Sequence, residues 1–257
     1  MLRSLSSAVA GMRARQQSMD VTANNIANVN TTGFKRKRVA FTDLVYQSIE
    51  RRGNAVAPAG EGRPPVVAGT GVGVSAIRSD MRPGMYLETG RKLDFAVVGE
   101  GFFRVQLPDG QEAYTRDGSF QLDGEGQVVT GKGFRVIFPP LPQGERELLV
   151  APTGAVTVKS GSRETAAGRL ELAYFNNPQG LLRIGGNLLL HSEAAGAVRV
   201  ATPGEGEAVR QGYLETANVE LSEEMVRLIA DQRAFELSAR ALRSIDEMWA
   251  TANQLRR

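Results

Sequence analysis

The period of the apolar positions changes twice along this chain. Near the N-terminus Leu2, Leu5, Val9, Met12, Met19 and Ile26 recur at alternating steps of three and four, with Gln16 and Ala23 filling the two remaining slots. That spacing predicts one amphipathic helix carrying a heptad stripe. Gly11 weakens it locally by about 1 kcal/mol relative to alanine. The C-terminal region repeats the pattern with Leu221, Met225, Leu228, Phe235, Ala239, Leu242 and Trp249, and Gln232 and Asp246 take the intervening seam positions. Ser222, Glu223 and Glu224 put a capping residue and acids near that helix start, and Arg256 and Arg257 put positive charge at its end, as the macrodipole favours.

Between the helices the period shortens to two. From about Gly69 to Gly212, short apolar or alternating runs such as "FAVVG", "GAVTVKSG" and "RLELAYF" are separated by Gly, Asp, Asn and Pro. Pro108-Asp109-Gly110 and Asp123-Gly124 are turn chemistry, and the spacing suits hairpins of an antiparallel sheet or barrel. Ser48 to Gly69 is rich in Gly, Pro and Ala without a period and reads as an extended arm. The expected fold is mainly β with two terminal α-helices, a β domain inserted between N- and C-terminal heptad helices that pair as a coiled coil on assembly. Its parts are residues 1–33 (helix and joint), 34–68 (arm), 69–212 (antiparallel β domain) and 213–257 (C-terminal helix).

Composition mostly removes alternatives. With 257 residues and 42% apolar content the chain can build a sizeable core. No apolar run approaches the roughly 18 to 20 residues that cross a bilayer, so no membrane insertion is expected. A net charge of +3 is small for a nucleic-acid binder, and nucleic acid is not an expected partner. Absence of cysteine excludes disulfides, thiolate metal sites and a cysteine nucleophile. The single histidine, His191, cannot form a multi-histidine centre. Spaced apolar residues and the early charges Arg13 and Arg15 make a poor signal-peptide core, so no cleaved signal is expected. "GTGVGV" at 69–74 lacks the helix and lysine of a phosphate loop and reads as structural glycine. Asp94, Asp109, Asp117 and Asp123 could pair as acid and base, but three of the four belong to glycine turns that carboxylates stabilise. The chain is expected to be no enzyme, with no catalytic, cofactor or metal site and no cofactor.

Two features remain. The first is "ANNIANVNTTGFKRKR" from Ala23 to Arg38, where Asn24, Asn25 and Asn28 are poor helix formers that bond backbone locally. Gly33 permits a left-handed turn, Phe34 can anchor it by burial, and Lys35 and Arg36 can meet carboxylates on a neighbour. This segment is expected to be a joint between layers; a phosphate-contacting patch is the weaker reading of its basic run. The second is the pair of stripes. A two-helix hairpin has one buried seam and is marginal alone, so Leu2, Leu5, Val9, Met12, Met19, Ile26, Leu221, Met225, Leu228, Phe235, Leu242 and Trp249 are expected to form subunit interfaces that order on assembly.

Four stretches carry a resemblance. They are "ANNIANVNTTGFKR", "LDFAVVGEGFFRV" (93–105), "YTRDGSFQLDGEGQVVT" (114–130) and "QGYLETANVELSEEMVRLIADQRAFELSARAL" (211–242). In this order they resemble the bacterial flagellar basal-body rod and hook proteins. Length and the linker after "FTDLVYQSIERRG" are similar to subunits of the distal rod, with a proximal rod subunit as the alternative. The resemblance implies a non-catalytic drive-shaft subunit, a homo-oligomeric helical tube crossing the periplasm and carrying torque from motor to hook. Implied partners are proximal rod subunits, the hook or hook-junction protein, surrounding ring proteins and the flagellar type III export apparatus. A soluble β-rich module binding a polyanion or peptidoglycan is the reading from another class.

Overall fold

The computed structural model describes residues 2–48, 67–140, 147–160, 163–204 and 207–254; most of the expected arm, residues 49–66, lies outside them. The chain divides into two compact units, one of residues 1–24, 37–78 and 222–257, the other of residues 25–36 and 79–221.

The first unit holds most of helix α1 (Leu2–Ala27) and of helix α2 (Leu221–Gln254). Because α2 already begins at Leu221, Ser222 lies within its first turn and is not its cap. The two helices pack antiparallel, with Gly11 beside Ser238 and Ser18 beside Asp231. A ribbon completes the unit. Strand Lys37–Asp43 pairs with Val72–Ser79, and Tyr46–Ser48 pairs antiparallel with Val67–Gly69. The glycine-rich 69–74 stretch has a packing role: at Gly71 (φ +125°) a Cβ would sit 3.1 Å from the Cβ of Ala10 and 3.3 Å from the Cα of Ser7. Only a residue without a side chain lets the ribbon approach α1 so closely.

The second unit is built on an antiparallel seven-stranded sheet. Its strand order is 182–185, 188–190, 112–115, 103–106, 135–136, 128–130 and 120–122. A three-stranded sheet (147–150, 155–160, 163–169) and three short ribbons surround it. Successive residues of a strand point to opposite faces, and here both faces are buried. Phe103 and Leu188 join a core with Phe95, Phe120, Val156 and Leu172, while Phe102 and Leu189 join a second with Tyr114 and Phe175. The turn carboxylates bond their own backbone, as expected of them. Asp109 accepts from the Gln111 N–H at 3.0 Å, and Asp123 accepts from Glu125 and Gln127 at 2.9 and 2.7 Å.

The units differ sharply in core. Among the described residues of the first, Ala14 is the one buried apolar side chain; the buried phenylalanines, leucines and valines all belong to the second.

Candidate functional site: the joint after the first helix

Helix α1 unwinds through its asparagines. The Asn25 carbonyl accepts from the Asn28 N–H and the Asn28 carbonyl from the Thr31 N–H, while the Thr31 hydroxyl donates to Asn28 Oδ1. Asn25 is buried, and exposed Asn24 accepts from Lys37 Nζ at 3.3 Å. Gly33 has φ +65°, and a Cβ there would meet the Asp117 nitrogen at 2.6 Å, so the left-handed turn and the tight approach both require glycine. Its N–H donates to the Glu215 carbonyl at 2.8 Å. Phe34 is buried against Ala217, Val219 and Val29.

Beyond the turn, the chain is clamped by charge. Lys35 is 3% exposed and donates from Nζ to Glu215 Oε1 at 2.5 Å and to the Arg82 carbonyl at 2.9 Å. The Glu215 carboxylate is fully buried; its Oε1 also accepts from the Gly84 N–H, and its Oε2 faces Arg116 NH1 at 3.3 Å. Arg116 lies over the Phe102 ring and donates to the carbonyls of Val97 and Gly99. Two buried cations thus share one buried carboxylate. Burial pushes the Lys35 ammonium below the usual lysine range, Glu215 opposes that shift, and Arg116 adds to it.

A second cluster continues the clamp. Arg36 is buried 3.9 Å from Asp80, and its N–H donates to Asn218 Oδ1 at 2.7 Å. Asn218 in turn donates from Nδ2 to the carbonyls of Asp80 and Arg82. Hydrogen bonding from Arg82 holds the Asp80 carboxyl well below the usual range, at about 2, against the opposing effect of its partial burial. Thr32 donates to Asp117 at 2.7 Å. The segment leaving α1 is therefore held side by side with residues 215–218, the segment leading into α2.

This corrects one expectation. Lys35 and Arg36 do not reach toward a neighbour; both are buried and paired with Glu215 and Asp80 of their own chain. The Lys35–Arg38 run is thus no continuous basic surface, and Arg38 itself lies 3.7 Å from Glu223. Sequence reasoning missed Asp80, Arg116, Glu215 and Asn218 as partners. The signal was present in "YTRDGS" and "YLETANVE", whose charges complement "GFKR", but nothing in one sequence shows which distant charges meet. Asp94 and Asp117, the carboxylates weighed for acid–base work, are engaged by Thr89, Arg91, Thr32 and Ser119. His191 meets the Gly196 carbonyl through Nε2 at 2.8 Å.

The stripes lie as follows. Leu5, Val9, Met12, Met19 and Ile26 are half-buried, and the Leu2 side chain lies outside the described set. The most buried line of α1 is instead Ala14, Thr22 and Asn25. On α2, Leu228, Phe235 and Leu242 are half-buried, whereas Leu221, Met225 and Trp249 are exposed, together with Val226, Ile229, Leu237 and Met248.

Comparison with known proteins gives this geometry its context. The chain is 38% identical to the flagellar basal-body rod protein FlgG of Borreliella burgdorferi, over 100% of both chains. The chain belongs to the flagellar basal-body rod protein family. It is also 39% identical to FlgG of Agrobacterium fabrum, over 96% of this chain and 97% of that one, and 36% identical to FlgG of Bacillus subtilis over the full length of both. Residues 5–35 match the family described as flagella basal body rod protein, 96–158 the flagellar hook protein FlgE/F/G D1 domain, and 210–255 the flagellar basal body rod FlgEFG protein C-terminal region. The clamp draws on both terminal matches: Lys35 closes the first, and Glu215 and Asn218 stand near the start of the last. As a member of this family the chain is a structural subunit of the flagellar basal-body rod.

Proposed function

We infer that the chain is a non-catalytic, self-assembling subunit of the distal rod, stacking in a helical tube that carries torque from motor to hook. The stripe residues of α1 and α2 form the contacts between copies, and the clamped joint passes load between each helical layer and its β domain. In this reading the tube meets proximal rod subunits at one end and the hook or hook-junction protein at the other. Ring proteins surround it, and the chain reaches the periplasm through the flagellar type III apparatus without a cleaved signal.

One observation carries the reading: the first unit has Ala14 as its one described buried apolar side chain, yet exposes Met225, Val226, Ile229, Leu237 and Met248 along α2. Large apolar side chains left exposed repeatedly along one helix mark a protein contact. The polyanion-binding alternative loses its basic patch, since Lys35 and Arg36 are buried. The test is the double variant Met225→Asp/Ile229→Asp, both positions about half exposed and therefore tolerant of charge in the free chain. The parent chain is expected to form filaments visible by electron microscopy as concentration rises, and the variant to keep its circular dichroism but stay monomeric. Equal filament formation by the variant would refute the assignment of this face.

A further inference from the structure

The antiparallel packing of α1 on α2 raises the question of what sets its register. The line of α1 against α2 runs through Gly11, Ala14 and Ser18, and α2 answers with Asp231 and Ser238. Small side chains by themselves specify an axial alignment weakly. One charged carboxylate stands among them. Asp231, 7% exposed, accepts from Arg15 NH1 on Oδ1 at 2.9 Å and from Ser18 Oγ on Oδ2 at 2.5 Å. Both carboxylate oxygens are thereby engaged by donors three residues apart on α1, that is, on adjacent turns of one face.

We propose that Asp231 is the register lock of the terminal helix pair: its carboxylate, gripped by Arg15 and Ser18, selects one axial alignment of α1 against α2. A slip of one turn, about 5.4 Å, carries Asp231 away from both donors and leaves a charge in the seam without its partners. Half-buried Phe235 and Leu242 stand within one turn of Ser238 on the same face of α2 and can add apolar contact, but only the carboxylate requires these particular donors. The lock thus fixes how the outward stripes are staggered on one subunit, a requirement for any repeating contact between copies. The inference rests on the contact within one chain and stands whether or not the chain polymerises.

The absence of cysteine makes a direct test available. At Gly11 a Cβ would lie 3.9 Å from Ser238 Oγ with nothing else within 4 Å, so G11C with S238C is placed to form an intramolecular disulfide. G11C with A234C or with L242C reports alignments slipped by about one turn either way. In the dilute full chain the in-register pair is expected to close at least about tenfold faster than either slipped pair, the scale set by losing charge-assisted hydrogen bonds to a buried carboxylate. Adding D231A is expected to reduce that preference to about twofold or less, and the charge exchange R15D/D231R to restore it. A preference unchanged by D231A, including a uniform slowing of all three pairs, would overturn the proposal. Failure of the exchange to restore it would do the same.

Discussion

At the scale of single residues, the clamp makes unequal demands on its members. Glu215 is the carboxylate that two buried cations share, so Glu215→Gln takes from both Lys35 and Arg116 the charge they contact. A loss of about 3–5 kcal/mol is expected, the usual cost of stripping one partner from a buried pair. Lys35→Met removes one surplus cation while Glu215 keeps Arg116 and the Gly84 N–H. That change should cost less, about 1–2 kcal/mol for the lost Lys35 bonds, because the Arg82 carbonyl keeps Asn218 Nδ2 as a donor. Urea unfolding of the two variants orders them, and equal or inverted losses would contradict the shared-carboxylate account. Asp80 gives a pH signature. Its folded pKa of about 2 lies below the ordinary 3.8, so its contribution is complete above pH 4 and disappears as pH falls through 2. Arg82 stands largely in water, which keeps that contribution to about 1 kcal/mol. The stability gap between the parent and Asp80→Asn should therefore be visible at pH 5, narrow by pH 2 and close below it; a gap constant across that range would exclude the ion pair as its cause.

At the scale of elements, periodicity reveals what is apolar and amphipathic but not which surface an element meets. Both helices were legible from their three-four spacing, and the strands Phe95–Val98 and Leu172–Phe175 from short apolar runs and Ala155–Ser160 from its alternation. The turn at Gly33 was legible because a left-handed residue after an asparagine-rich helix end leaves a compositional trace. The face on which α1 and α2 meet was not. Leu5, Met12 and Met19 dominate any hydrophobicity pattern, while the closest approaches of the two helices include Gly11, Ser18, Asp231 and Ser238, which read as weak or polar helix positions. Small residues permit close approach and polar ones fix alignment, and neither property raises an apolar signal. The clamp was hidden for a different reason. Lys35 and Glu215 are separated by 180 positions, and a four-residue basic run looks solvated until its distant carboxylates are known.

At the scale of the whole molecule, the two units should differ in stability for a reason visible in what each buries. The second unit encloses the aromatic and aliphatic core on both faces of its main sheet. The first brings its helices together at Gly11, Ser18, Asp231 and Ser238 and leaves its larger apolar residues half-buried or exposed. Isolated helical pairing of this kind is marginal, and regions with few buried apolar contacts open at far lower free energy than the global transition. Hydrogen exchange on the dilute full chain should accordingly show rapid exchange at Val9–Met19 of α1 and Ile229–Leu242 of α2. Residues 103–106 and 112–115 of the central sheet should stay protected. Because a partner that binds only the ordered form stabilises it in proportion to its concentration, protection of both helices should rise as the chain is concentrated, while the sheet amides hardly change. Helices already as protected as the sheet at high dilution would mean that each subunit completes its own terminal surfaces. Pairing with other copies would then add no order to α2, and its exposed stripe would lack that thermodynamic drive to associate.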